Sequence, residues 1–364
     1  MKFENTNQLR SIVSQFAIDS DVAIVTPFGD GLINDTYLVT SGQGKRYILQ
    51  HVNRNIFSDI EVLQHNLYLI TTHIRQCLKN KCVSDIERKV LKPVSAKDGK
   101  LWVEADGEAW RMTHFIEGSN TYNTLTPAMA VLTGKAFAEF QGYFAVEEAP
   151  AIKPVIENFH NVGYRVQQLK AALEANTAER LDTCRQEVDL LLAQADDMML
   201  AERMHASGEL PLRITHCDTK LNNILFDENG EILCVIDLDT TMPGFVLSDF
   251  GDFIRTAANK GDEDDKDLSR VEVDMEIFRN FATGYLAHAH FLTPVERRLL
   301  PFGAKMLTYM QAVRFLTDYL NGDTYYKTKY ADHNLVRTRA QIKLLSSIEH
   351  NFADMESFIR SLPQ

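Results

Sequence analysis

Over roughly the first 115 residues, apolar and polar positions alternate in short runs; beyond that point the apolar residues recur at helical spacing. Ala23-Ile24-Val25-Thr26-Pro27-Phe28 and Thr36-Tyr37-Leu38-Val39-Thr40 read as two strands joined by a turn that carries Gly29 and Gly31. The segment from Arg46 to Val52 is a third strand. From Asp59 to Leu78, the apolar residues Ile60, Leu63, Leu67, Leu69, Ile70 and Ile74 mark a helix. Further strands are expected from Val90 to Val94, Leu101 to Glu104 and Ala109 to Thr113, separated by turns at Lys97-Asp98-Gly99-Lys100 and Asp106-Gly107. After Phe115-Ile116-Glu117-Gly118 the pattern becomes helical. It runs first from Thr126 to Phe144, then as a pair of helices between Asn158 and His205, and resumes near Asp274, Thr293 and Asn334. This change predicts an α+β protein with two lobes: a strand-rich lobe over residues 1–117 and a larger, mainly helical lobe over 118–364.

One stretch breaks the helical pattern of the second part. Ile224-Leu225-Phe226, the polar turn Asp227-Glu228-Asn229-Gly230-Glu231, and Ile232-Leu233-Cys234-Val235-Ile236 read as a β-hairpin. It lies between Thr215-His216-Cys217-Asp218-Thr219-Lys220-Leu221-Asn222-Asn223 and Asp237-Leu238-Asp239, so it can fold Asn223 and Asp237 back toward one point. That spacing matches phosphoryl transfer. Asp218 accepts or orients a hydroxyl proton, Asn223 reaches a magnesium ion, and Asp237 arrives on a separate apolar strand to hold the same metal. Lys220 places a cation beside the migrating phosphoryl group, and His216 braces the loop. Asp239 has three open roles: metal site, cap of the following turn, or substrate contact. Asp249 and Asp252 look like a helix start and structural caps; Asp249-Phe250-Gly251 lacks the preceding apolar strand that a metal aspartate needs, which favours Asp237.

Composition limits what such a site serves. At 364 residues, 45% of them apolar, the chain has material for a substantial core. A net charge of -12 argues against nucleic-acid or anionic-membrane partners, whose phosphates demand clustered lysine and arginine. No run reaches the ~20 apolar residues that span a bilayer, and the N-terminal residues lack a signal-like apolar core, so a cytoplasmic protein is expected. Cys77, Cys82, Cys184, Cys217 and Cys234 show no C-x-x-C spacing and read as reduced thiols. The acidic run from Asp262 to Asp267 reads as a solvated loop, and His288 and His290 point in different directions on a helix.

In its motif order the chain resembles the aminoglycoside phosphotransferase and choline kinase superfamily, which has a bilobal protein-kinase-like fold. Within that group it looks most like the N-acetylhexosamine 1-kinases. The likeness covers nearly the whole chain. It rests on the segment from Gly29 to Val39, on Tyr47-Ile48-Leu49-Gln50, on Thr215 to Leu225, on Ile236-Asp237-Leu238-Asp239-Thr240 and on Asp249-Phe250-Gly251-Asp252. It continues through Arg314 to Leu320 and His333 to Arg339. The resemblance implies transfer of phosphate from ATP, with Mg2+, to the anomeric hydroxyl of N-acetylglucosamine or N-acetylgalactosamine. It implies Asp218 as base, Asn223 and Asp237 as metal ligands, and Arg314 and Tyr325 as sugar-binding residues. The nucleotide is expected on Gly29, Gly31, Gln50, Thr113 and Phe115.

Gln50 stands where many kinases carry the strand lysine that grips the α- and β-phosphates, and Glu61 is the one obvious glutamate candidate near the start of the following helix. A neutral amide cannot supply that charge, so metal and glycine-turn amides would have to do more. Two other readings stay open: a kinase of the same fold acting on choline, homoserine, an aminoglycoside or another sugar, and a nucleotide-binding pseudokinase. The sequence sets no oligomeric state.

Overall fold

The computed structural model describes residues 6–19, 21–29, 33–122 and 124–363. Two compact units form. One comprises Met1–Asn120, Glu148–Ile156 and Leu225–Thr241; the other comprises Thr121–Glu147, Glu157–Ile224 and Met242–Gln364.

The first unit begins with a helix that the hydrophobic pattern did not announce, α1 (Thr6–Val13). It is barely two turns long, and its three buried residues, Leu9, Ile12 and Val13, are too few to set a period. Then come β1 (Val22–Pro27), β2 (Asp35–Ser41), β3 (Arg46–Val52), α2 (Ile60–Asn80), the single turn α3 (Ile86–Lys89), β4 (Pro93–Val94), β5 (Val103–Ala105) and β6 (Glu108–His114). The sheet is antiparallel in the order β1-β2-β3-β6-β4, with β5 on β6. The strand expected from Val90 shortens to two residues, since Pro93 brings no N–H to the ladder. Asp59 starts α2 as foreseen, its carboxylate accepting from Val62 N at 2.9 Å.

Alternation gives this sheet two different faces. Tyr37, Val39, Tyr47, Leu49, Trp110 and Met112 pack with α1 in one apolar cluster. Thr36, Gln50, Arg111 and Thr113 take the alternate positions and point to the other face. Cross-strand register sets Gln50 opposite both Thr36 and Arg111.

The second unit contributes α4 (Pro127–Tyr143), α5 (Val162–Ala175), α6 (Arg185–Met198), α7 (Leu200–Ala206) and the short strand β7 (Arg213–Thr215). Thr126 with Pro127 starts α4, and Asn161 starts α5, which ends at the left-handed Asn176. The chain then forms the foreseen hairpin, β8 (Ile224–Phe226) and β9 (Ile232–Val235), most of which belongs to the first unit. It returns through β10 (Met242–Gly244), antiparallel to β7, and finishes with α8 (Val246–Ala257), α9 (Met275–Leu286), α10 (Pro294–Leu320), α11 (His333–His350) and α12 (Phe352–Ser361). Thr293 and Glu296 close a reciprocal capping box on α10.

Helix α8 lies in backbone contact with α10. A Cβ on Gly251 would stand 2.1 Å from Gly303 O, and one on Gly303 would stand 2.2 Å from Leu247 O. Phe253 stacks on Phe281 of α9 at 3.8 Å, which fixes the opposite flank of α8. Among the described residues, no helix is long and apolar enough to cross a membrane.

Candidate active site

The loop between β7 and β8 is held from beneath by α8. Asp249, fully buried in the first turn of that helix, accepts from the backbone N–H groups of His216 and Cys217 at 2.8 Å each and from Gln141 Nε2 at 2.7 Å. Asp252 accepts from Thr219 N at 3.2 Å, and the Thr219 hydroxyl donates to Asp249 O at 2.6 Å. Neither aspartate caps α8, whose N-cap is Phe245; they anchor the loop's own backbone instead. Burial pushes the Asp249 carboxyl up, against the pull of His216 and the two loop amides. Cys217 adopts a left-handed backbone (φ 63°), a strained conformation that these bonds maintain. Burial, reinforced by Asp249, pushes its thiol well above the ordinary range, so it packs and does not react. His216 is buried between Phe137 and Phe140, and its Nδ1 accepts from Asp218 N at 3.3 Å.

On this platform Asp218, Lys220 and Asn223 touch. Lys220 Nζ reaches Asp218 Oδ2 at 2.7 Å, and Asn223 Nδ2 donates to the same oxygen at 3.0 Å and to Asp218 O at 2.8 Å. Both side-chain bonds of the aspartate fall on Oδ2.

A second cluster of the helical unit gathers Arg314 and Tyr325. The Arg314 guanidinium lies over Phe159 at 5.4 Å, Tyr326 at 5.5 Å and Tyr325 at 5.8 Å, and donates to Gln311 Oε1 at 3.0 Å. The tyrosine segment is preset by Asp318, which accepts from the N–H groups of Thr324, Tyr325 and Tyr326 and from Asn334 Nδ2 at 2.8–2.9 Å. Tyr325 is 57% exposed, open to a ligand. His160 stacks on Phe159 at 4.6 Å; its Nδ1 is buried and has no hydrogen-bond partner among the described residues. Burial, together with Arg314 and Arg165, pushes the His160 imidazole down to about 3. Burial and the neighbouring Arg314 likewise lower Arg165 to about 10. The cluster is therefore cationic and aromatic, with an uncharged imidazole. The structure brings Arg314 and Tyr325, which the resemblance implied as sugar-binding residues, into one cluster with His160, Arg165 and Asp318, which the sequence did not single out.

In the sheet unit, Gln50 and Thr113 share the polar face. Phe115, just past β6, meets Phe28 edge-on at 6.0 Å and lies under the Arg46 guanidinium at 4.2 Å. Gly29 follows Phe28 with φ 67°; Gly31 lies outside the described residues. Asp237 sits in a left-handed turn (φ 59°) directly after β9. Beside the three roles open to Asp239, its hydrogen bonds describe a fourth: it is buried, paired with Arg111 through Nη1 and Nη2, and accepts from Asn34 Nδ2 at 2.9 Å. Glu61 is exposed. Gln64, on the same part of α2, is buried, and its side-chain amide has no partner among the described residues. The acidic run is not merely solvated: Glu263 pairs with Arg255, Asp264 with His333 and Lys329, and Asp265 with Arg270.

Each unit carries a hard-oxygen donor of the kind magnesium takes. In the helical unit Asn223 spends its amide nitrogen on Asp218 and keeps its amide oxygen, and in the sheet unit Asp237 carries a carboxylate. Two hard oxygens are what this ion usually takes from protein, the remainder coming from phosphates and water. Among the described residues, no cluster of three or more His, Cys, Asp or Glu side chains forms a cage for any other ion.

Solved structures share this fold. An aminoglycoside phosphotransferase from Alicyclobacillus acidocaldarius is 13% identical with a TM-score of 0.63, over 97% of this chain and 96% of its own. Amicoumacin kinase hAmiN, in complex with AMP-PNP, Ca2+ and Ami, is 16% identical with a TM-score of 0.58, over 94% of each chain. An ethanolamine kinase of Plasmodium vivax is 14% identical with a TM-score of 0.53, over 89% of this chain and 83% of its own. Identities this low speak for a kinase-like fold alone. The sequence pattern itself carries the family: residues 24–290, from the first strand through the loop and its aspartates to the end of α9, match the phosphotransferase enzyme family (APH), and the chain belongs to that family.

Proposed function

We propose that the protein transfers the γ-phosphoryl group of ATP to the anomeric hydroxyl of an N-acetylhexosamine, giving the sugar 1-phosphate. One observation carries the reading. Lys220 and Asn223 both engage Asp218 Oδ2, so among the described residues Asp218 Oδ1 is left to receive or orient the proton of an acceptor hydroxyl. A largely dissociative transfer needs that oxygen positioned more than it needs a strong base, and the bonds from α8 position it. Lys220 keeps positive charge beside the reacting oxygen. Asn223 and Asp237 supply oxygen ligands to Mg2+, and Gly29, Gly31, Gln50, Thr113 and Phe115 take the nucleotide. When bound, magnesium neutralises charge on the transferring phosphoryl oxygens. ATP as donor suits a cytoplasmic setting.

Arg314, Arg165 and Tyr325 favour one class of acceptor. Two guanidiniums on an aromatic cluster disfavour an ammonium-bearing acceptor and suit a neutral polyol, whose hydroxyl and amide oxygens accept hydrogen bonds and whose apolar ring face packs on tyrosine. ADP release at neutral pH with N-acetylglucosamine, N-acetylgalactosamine, glucosamine, choline, ethanolamine and an aminoglycoside tests this. The N-acetylhexosamines are expected to give the highest kcat/KM. A faster reaction with any of the amines would remove the sugar assignment.

A further inference from the structure

The cation missing from β3 is present one strand away. Arg111 of β6 is in direct register with Gln50 of β3, on the same face of the sheet, and only 4% of it is exposed. Its Nε donates to Gln50 Oε1 at 2.9 Å, its Nη2 to Asp239 Oδ2 at 2.8 Å, and its Nη1 to Asp239 Oδ1. Gln50 in turn donates to Thr36 Oγ1 at 3.2 Å. Asn34 donates to Asp239 and accepts from Asn53 N at 3.0 Å. The chain of bonds therefore crosses β2, β3 and β6 and ends on the segment that carries Asp237.

This arrangement explains the glutamine. A lysine at position 50 would set an ammonium against a buried guanidinium in the same register, whereas the glutamine carbonyl accepts the Arg111 Nε–H. A buried aspartate without a cation would be costly; a bidentate guanidinium satisfies both its oxygens. Burial works against the charge of Arg111, but Asp239 and then Asp237 outweigh it and hold the guanidinium protonated.

We propose that Arg111 is the positioning residue that takes over the anchoring part of the strand lysine: through Gln50 and Asp239 it locks the Asp237–Thr241 segment to the sheet. The inference rests on the proposed use of a magnesium nucleotide. It goes beyond that use by moving the charged anchor from the third strand to β6, where no lysine-centred motif would place it.

The test measures AMP-PNP binding with Mg2+ by calorimetry, without acceptor, alongside thermal unfolding, for Arg111→Met, Arg111→Lys and the exchange variant Gln50→Lys/Arg111→Gln. Arg111→Met should weaken nucleotide binding by roughly tenfold or more, the scale of one charge-assisted hydrogen bond. Arg111→Lys, which keeps the charge but loses the fork, should fall between it and wild type. The exchange variant should fold and recover most of the affinity, because it keeps one cation and one amide in the same cross-strand pair of β3 and β6. If Arg111→Met does not fold, the other two variants carry the comparison. Native nucleotide affinity in folded Arg111→Met or Arg111→Lys, or an exchange variant that folds yet binds weakly, would overturn the proposal and leave a purely structural ion pair. If the wild type binds no magnesium nucleotide, the proposed function fails and this inference falls with it. A wrong acceptor assignment leaves all these binding measurements unchanged.

Discussion

The hydrogen bonds of Lys220 and Asn223 both fall on Asp218 Oδ2 and, among the described residues, none falls on Oδ1, and that asymmetry sets what substitutions in the loop do. Asp218→Asn keeps an oxygen for Lys220 but removes the proton acceptor. The turnover number should fall by roughly 10²–10⁴ while sugar and nucleotide affinities stay within a few-fold, as steady-state kinetics and calorimetry would show. Near-normal turnover would contradict its role. His160 offers a separate test of how the Arg314 cluster is packed. Its imidazole is depressed from the ordinary 6.5 to about 3, so the folded protein binds fewer protons than the unfolded chain between those values. Its contribution to stability is therefore complete above pH 6.5 and is lost as the pH falls toward 3. Urea unfolding at pH 7.5 and pH 5 should show His160→Gln losing less stability on acidification than wild type, by on the order of 1 kcal/mol. Equal losses would mean that the ring is not held neutral.

At the scale of elements, the loop is only as ordered as α8, and α8 only as fixed as its seat on α10. Asp249→Ala strips the acceptor from two buried backbone N–H groups and from Gln141, and should cost about 2–4 kcal/mol in chemical denaturation while lowering turnover. Gly303→Val forces a side chain into Leu247 O and should cost about 3 kcal/mol, measured the same way. A stability within error of wild type in either variant would show that the platform is not what holds the loop. Much of this level was legible in the sequence. Asp59, Thr126 and Thr293 announce their helices because a cap acts within one turn, and the spacing from Thr215 to Asn223 is readable because its partners are sequence neighbours. Arg111 was not legible: it sits in an alternating strand like any outward polar residue, and its partner Asp239 is 128 positions away. The same holds for Arg165 and Arg314, which meet only through tertiary packing. Strand register and helix packing, not local pattern, decide such pairs. The pair β7 and β10 escaped for the same reason, being two three-residue strands joined across a long stretch of chain.

For the molecule as a whole, net charge and local charge point in opposite directions. A chain at -12 attracts cations at long range, yet the cluster around Arg314 is locally positive, so the proposed acceptor choice rests on contacts at short range and should survive high salt. Nucleotide binding should be felt as added stability: AMP-PNP with Mg2+ at about 100 times its Kd adds ~2.7 kcal/mol, a rise of a few degrees in Tm. Chelation of the metal with EDTA should abolish most of that rise. An equal rise without metal would remove Asn223 and Asp237 from the binding of the nucleotide. The family assignment and the kinase-like fold bear on the transfer itself, while the acceptor depends on side chains that fold likeness at 13–16% identity does not carry. The most direct measurement is therefore phosphorus NMR of the product formed from ATP, Mg2+ and N-acetylglucosamine or N-acetylgalactosamine. The account predicts a single sugar phosphate whose phosphorus couples to the anomeric proton. A phosphorus coupled instead to the protons of the primary hydroxymethyl group, or no sugar phosphate at all, would contradict it.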